Sequence, residues 1–390
     1  MPPPQGRSKA VQGIWISRTR LCHRARNSAS RPQASQREDR SVHRSSHALT
    51  TPRAGMSAAS PPGRRVEPAL VGLLTNRAAT RVARSLCALR TAISSSRRLV
   101  HVEVTGPAEV RDALRLFAAA GVDVLVINGG DGTVQMVAEA LGTCPWPGRE
   151  PPIAVLAGGH TNLIAKDLGT AGDPVTVFRR LMDAIQAQKD DRLAPVRRTP
   201  IRLAGGGLPR PQIGFFVGLA AVPRATLWVR RRVQHGLVPL WLRDAASLAF
   251  LAASAALGWR RSPLAPVPLA FTLEDGRRIA GRFSVVLATP LPRLLLGARL
   301  FAHHNGESIQ FVAFTRTGPR LVRALLAALR GRLHLTAMPE LILERLHKLE
   351  VEGAGELVVD GELFSLDPAR PLVLTTAPAL TFLTWREMRS

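Results

Sequence analysis

The stretch VDVLVINGGDGTVQMVAEAL, residues 122–141, leaves few folds open to the chain. Its first half reads as a buried strand, and its second half carries Val134, Val137, Ala138 and Leu141 on one helical face. Gly129, Gly130 and Gly132 join the two. A strand that runs through glycines into a helix aims backbone N–H groups and the positive helix end at one point, where a phosphate binds well. Thr133 is placed to cap that helix. Asp131 is the odd member, because a carboxylate among such amides repels a phosphate unless a divalent cation bridges them or the acid handles a proton. It therefore points to Mg²⁺ or to general-base work. The loop reads neither as G-x-x-x-x-G-K-[ST] nor as G-x-G-x-x-G.

The flanking sequence continues the alternation. ALVGLLTN (69–76), RLVHVEVT (98–105) and PPIAVLAGG (151–159) read as strands. AATRVARSLCALRTAISS (78–95), PAEVRDALRLFAAAG (107–121) and TNLIAKDLG (161–169) read as helices. In the second helix Val110, Leu114, Leu116 and Phe117 form the expected buried face and Gly121 the stop. This order predicts an α/β domain with a parallel sheet over residues 68–198. From residue 199 to 390 short strands and turns take over, with EDGRR and VDGEL as hairpin turns, and predict an antiparallel β-rich domain. Helical runs at 239–259 and 318–331 interrupt it.

Charge is uneven. The chain carries 53 Lys and Arg against 28 Asp and Glu, a net +25, which favours an anionic partner. Residues 1–67 alone hold 13 of those cations and three acids. Rich in Arg, Ser, Pro and Gln, this segment is predicted to be a disordered basic extension, either a transit peptide or a stretch ahead of a start at Met56. Three widely spaced cysteines give no disulfide framework and no C-x-x-C pair. The longest apolar run, Ala245 to Trp259, is 15 residues, short of the ~20 that span a bilayer.

NGGDGTV after an apolar strand resembles the nucleotide-binding signature of the diacylglycerol kinase catalytic domain family. That family includes bacterial lipid kinases and sphingosine kinases and is related in fold to NAD kinases. LAGGHTNLIAKDLG (156–169) is similar to its second glycine-rich strand–loop–helix, and LVVDGELFSLDPARPLVLTTAPALTFL (357–383) to its closing segment. The resemblance spans about residues 68–384. It implies an NAD kinase-like α/β nucleotide-binding domain, a C-terminal β-rich sandwich domain, and a cleft between them. In that cleft ATP with Mg²⁺ donates its γ-phosphoryl group to a hydroxyl of diacylglycerol or a related lipid. Carried over residue by residue, Asn76, Gly129, Gly130, Gly132, Thr133, Gly158, Gly159, Thr161 and Asn162 bind the nucleotide. Asp131, Asp360 and Glu362 are the catalytic acids, the last two doubling as metal ligands. The implied partners are a lipid substrate and a membrane surface touched from the cytoplasm by a region including Arg230 to Arg261, with no specific nucleic acid. The oligomeric state stays open, a homodimer included.

The chain departs from the family pattern in places. TNRAATR keeps Asn76 but lacks the expected Pro and Gly, leaving Arg77 and Arg81 as candidate phosphate clamps. His160 and Leu163 replace a threonine and an acid of the second block. In GFFVGLAAVPRA (214–225), Ala220 and Ala221 stand where many members carry an acid. His303 and His304 are neighbours on an expected strand and so point to opposite faces, which argues against a shared metal ion. The alternative readings are a nucleotide-binding pseudokinase or regulator, and a soluble-substrate kinase of the NAD kinase type. The second lacks its asparagine–glutamate motif after the loop.

Overall fold

The computed structural model of the chain describes residues 14–15, 69–96, 98–143, 146, 148–187, 192–227, 265–294 and 297–386. The predicted extension over residues 1–67 lies outside them, apart from Ile14–Trp15, as does the whole run from Arg230 to Arg261. The expected helix at 239–259 is therefore not described.

In chain order the first elements are β1 (Ile14–Trp15), β2 (Val71–Asn76), α1 (Val82–Ser94), β3 (Leu99–Val104), α2 (Pro107–Ala120), β4 (Val124–Gly129) and α3 (Asp131–Leu141). β5 (Ile153–Ala157), α4 (Leu163–Asp167), α5 (Pro174–Gln186) and β6 (Leu193–Arg198) follow. β2, β4 and β5 are buried along their whole length, because helices cover both faces of the sheet. α2 ends at Gly121, whose φ of 70° only glycine adopts freely. Val110, Leu114 and Phe117 face the core as expected, but Leu116 is exposed at 38%, and Ala113 and Ala118 complete the buried stripe instead. α5 has a sequence signature of its own: the Asp173 carboxylate accepts from the Thr176 amide at 2.8 Å, and Pro174 opens the first turn.

The second half comprises β7 (Ile201–Gly205), β8 (Gln212–Gly214), β9 (Val217–Ala220), β10 (Val267–Leu273), β11 (Arg278–Phe283), β12 (Val285–Thr289) and β13 (Ile309–Phe314). After these come α6 (Pro319–Leu329), β14 (Leu341–Leu346), β15 (Lys348–Glu352), β16 (Glu356–Val359), β17 (Glu362–Ser365), β18 (Leu372–Thr376) and β19 (Leu380–Trp385). Two six-stranded antiparallel sheets result, ordered β11-β10-β15-β18-β7-β8 and β14-β13-β12-β9-β16-β17. Between them Phe271 stacks edge-on against Phe283 and Phe311, with ring centroids 4.9 and 5.0 Å apart. The two halves thus have the expected α/β and β-sandwich character.

β19 belongs to neither sandwich sheet. It returns to the first sheet, parallel to β5 and antiparallel to β6, giving the order β1-β3-β2-β4-β5-β19-β6. The boundary expected at residue 198 is therefore crossed by the last strand, and Phe382 of β19 packs on Phe215 at 6.0 Å. Leaving β2, the chain moves to one side to form β3 and then crosses back to form β4 on the other side. The sheet thus has a topological switch point between β2 and β4, and ligands of open α/β sheets bind outside the strand C-termini at such a point. Those C-termini are Asn76 and Gly129.

Candidate active site

The two glycine loops after β4 and β5 meet back to back. A Cβ on Gly159 would lie 2.5 Å from Gly130 Cα, and one on Gly158 would lie 3.0 Å from Gly129 Cα. Backbone contact this close explains these glycines before any ligand is invoked. The Gly158 amide donates to the Gly129 carbonyl at 2.9 Å and locks the pair. Asn162, in left-handed conformation with φ 49°, clips the second loop by accepting from the Gly159 amide at 2.7 Å and donating to the Gly159 carbonyl at 2.8 Å. Gly132 differs, since a Cβ there would meet nothing within 4 Å. Its missing side chain leaves space in front of the first turn of α3.

Thr133 is not the cap of α3. Gly130 occupies that position, and Thr133 is the third helical residue, almost fully buried. Its Oγ1 accepts from Asn76 Nδ2 at 2.8 Å, while Asn76 Oδ1 accepts from the Ala78 amide at 2.9 Å. The pair binds the loop after β2 to α3. Carbonyl Gly130 receives the amides of Thr133 and Val134, so those of Asp131 and Gly132 keep no partner inside the helix.

Asp131 reaches across to the second loop. Its Oδ2 accepts from the Leu163 amide and its Oδ1 from the Ile164 amide, both at 3.0 Å. α4 has no side-chain cap of its own, so Asp131 caps it from another helix. Asp360 does likewise in the sandwich domain: its carboxylate accepts from the amides of Phe215, at 3.0 Å, and Phe216, at 2.8 Å. The VDGEL turn that carries it joins β16 to β17 through Asp360 and Gly361, with φ of 47° and 91°. Positive φ at both central residues is the geometry a two-residue hairpin demands, and Asp-Gly suits it.

Burial raises the Asp131 pKa against the pull of its amide donors. Burial also raises the Asp360 pKa, to well above its ordinary value, and the charge of Asp131 adds to the shift.

These groups line one cleft of about 460 Å³. Its walls are the loop from Asn76 to Thr80, the start of α2 at Pro107, α3 from Gly130 to Glu139, the loop from Gly159 to Thr161, Arg210 with Gln212, and the turn from Asp360 to Glu362. The expected site residues Asn76, Gly130, Asp131, Gly132, Thr133, Gly159, Thr161, Asp360 and Glu362 all reach it. Gly129, Gly158 and Asn162 sit behind it as packing and loop ties. Arg77 and Arg81 are not among its lining residues, and Arg77 lies 3.7 Å from the Glu103 carboxylate. Among the described lining residues the full positive charge comes from Arg210, which sequence reasoning missed. The only signal near it is Gly205–Gly207, three successive residues of positive φ that turn the chain between β7 and β8.

Ala220 and Ala221 are placed elsewhere. Ala220 is buried in the sandwich core with φ 60°, and Ala221 packs with Ala225 beneath Leu321 and Val322 of α6. Neither alanine is among the residues that line the cleft. His304 is held neutral by burial and by the charge of Arg345, with a pKa near 4. Among the described residues no group of three or more His, Cys, Asp or Glu is placed to hold a metal ion.

Two glycine loops and the carboxylates of Asp131 and Asp360 thus meet at the switch point of a doubly wound sheet. Residues 71–190 match the family model of the diacylglycerol kinase catalytic domain. Similar solved structures include a diacylglycerol kinase from Bacillus anthracis str. Sterne, 14% identical with a TM-score of 0.51 over 82% of this chain and 97% of the other. A candidate diacylglycerol kinase from the same organism is 15% identical with a TM-score of 0.55, covering 83% of this chain and 98% of its own. At these identities the likeness establishes the shared fold. No curated protein sequence matches the chain. No helix among the described residues is long and apolar enough to cross a membrane.

Proposed function

We propose that the protein is an ATP- and Mg²⁺-dependent lipid kinase that phosphorylates a hydroxyl of diacylglycerol or a related lipid. The observation that carries this reading is the meeting of the first glycine loop with the acids of the 360–362 turn in one cleft. Phosphoryl transfer depends on positioning and on neutralising charge, and the cleft holds parts for both. The open space before Gly132 and the helix end behind it suit phosphate oxygens. Mg²⁺ is commonly held by phosphates plus one or two carboxylates, a donor set that Asp360 and Glu362 fit. When bound, it offsets the charge on the transferred group. Glu362 is exposed at the cleft wall, and Arg210 supplies the protein's own cation. Asp131 positions the second loop.

Labelled phosphate transfer from ATP to a panel of diacylglycerol, sphingoid and related lipids tests the reading. Transfer to at least one lipid is expected. ATP binding without transfer to any lipid would leave the pseudokinase reading, which one observation favours: the oxygens of both Asp131 and Asp360 already serve backbone amides.

A further inference from the structure

Residues 316–339 contain Arg316, Arg320, Arg323, Arg330 and Arg332 and no acidic residue. They form α6 and the short 3-10 turn Leu333–Leu335 after it. Ala324, Ala328 and Leu333 face inward and pack with Phe314 and Leu294. The outward stripe runs Arg323, Leu326, Arg330, at the three- and four-residue spacing of one helix face. Of the exposed large apolar residues among those described, Leu326 at 43% and Leu335 at 72% both belong to this segment. Arg320 is paired with Glu340, whereas Arg316, Arg323, Arg330 and Arg332 are exposed and have no carboxylate partner among the described residues. Arg299 adds a further exposed cation, since its Cδ lies 3.7 Å from where a Gly331 Cβ would stand.

We propose that this segment is a docking surface for an anionic lipid membrane. The charge selects an anionic partner, and the exposed leucines select among anionic partners. A phosphate backbone gains nothing from Leu326 and Leu335, whereas the headgroup–acyl boundary of a bilayer takes up apolar side chains between arginines that bind lipid phosphates. Arginine suits this place because its stem lies against apolar surface while the guanidinium stays with the phosphates. The proposal rests on the lipid-kinase reading, which requires the chain to meet its substrate at a membrane.

Sedimentation of the full chain with phosphatidylglycerol vesicles and with phosphatidylcholine vesicles tests it. The wild type is expected to bind the anionic vesicles, less so as salt rises. R323E/R330E/R332E is expected to bind them about a hundredfold more weakly. L326S/L335S is expected to lose the binding that persists at high salt. Both variants are expected to keep the wild-type circular dichroism and the phosphate transfer to a short-chain diacylglycerol dispersed in detergent micelles. Vesicle binding equal to wild type in both folded variants would overturn the proposal. So would absence of wild-type binding, or binding to single-stranded RNA that needs the arginines while neither RNA nor vesicle binding needs the leucines. If no lipid is phosphorylated yet the arginine-dependent and leucine-dependent vesicle binding holds, the kinase reading fails and the docking surface stands. If transfer occurs and the variants bind vesicles normally, the reverse holds.

Discussion

Asp360 and Phe216 are bonded in both directions: the Phe216 amide donates to the Asp360 carboxylate at 2.8 Å, and the Asp360 amide donates to the Phe216 carbonyl at 2.9 Å. This ring fixes the tip of the β16–β17 hairpin against the strand ends at residues 214–217, and so fixes where Asp360 and Glu362 meet the glycine loops. The cleft therefore depends on an acid whose pKa is raised by burial and by the charge of Asp131.

Asp360→Asn tests that state. Oδ1 alone already reaches both amides, at 3.1 and 2.8 Å, so the amide side chain preserves the ring. Because the folded pKa is raised, the folded state keeps a proton that the unfolded chain gives up. The stability tied to that proton is full below the unfolded value of about 3.9 and is lost as pH rises through the raised folded value. The variant is free of this loss, so its melting temperature relative to wild type should climb as pH rises above about 4. Phosphate transfer should fall by about 10²-fold or more. A stability difference that does not change with pH would show that Asp360 holds no raised proton.

Asp131→Asn should cost stability outright through its hydrogen bonds. Each oxygen of Asp131 serves a different amide, and an asparagine NH₂ would face one of those donors. The expected cost is about 1–3 kcal/mol, the penalty of an unsatisfied buried donor. Amide exchange at Leu163 and Ile164 should quicken before global unfolding is approached. Unchanged exchange together with lost transfer would return Asp131 to a purely chemical role.

The strand–loop–helix of residues 122–141 was legible because period, glycine and length all agreed, and the VDGEL turn because Asp-Gly is a hairpin pair. The role of Asp131 was not legible. Its partners, Leu163 and Ile164, are more than thirty residues away, and an acid that caps another helix has no local signature. The β19 return was hidden for a similar reason. An apolar strand such as LTFLTW fits a sandwich or a parallel sheet equally well, and only pairing with β5 and β6 decides. Arg210 escaped because nothing in a glycine-rich turn marks which arginine faces a cleft.

The two kinds of glycine separate packing from binding. Gly159→Ala pushes a Cβ to 2.5 Å from Gly130 Cα, a backbone atom that cannot swing away, so about 1–3 kcal/mol of stability and the loop register should be lost together. Gly132→Ala meets nothing within 4 Å and should keep the wild-type melting temperature. Its methyl group would nevertheless stand where a phosphate is expected, so ATP affinity should drop while stability holds. Fluorescent-nucleotide titration beside thermal melts reads both, and normal ATP affinity in Gly132→Ala would move the phosphates elsewhere.

Behind the cleft, Arg198 Nε donates to Asp167 Oδ2 at 2.8 Å, with the two side chains only 10% and 1% exposed. Asp167 closes α4, the helix that Asp131 opens, and its other oxygen takes the Arg293 amide at 3.2 Å. Arg198 in turn donates to the carbonyls of Arg197 and Asn305, so the pair joins the glycine-loop helix to loops of the sandwich domain. Arg198→Met would strand a carboxylate in a dry site, and urea unfolding should report about 3–5 kcal/mol lost. Removing both charges as Arg198→Met/Asp167→Leu should recover much of that loss, since the penalty lies in the unpaired charge. Transfer activity should not recover with it, because the fixed position of α4 depends on the polar ties. A double variant as active as wild type would show that the pair serves stability alone.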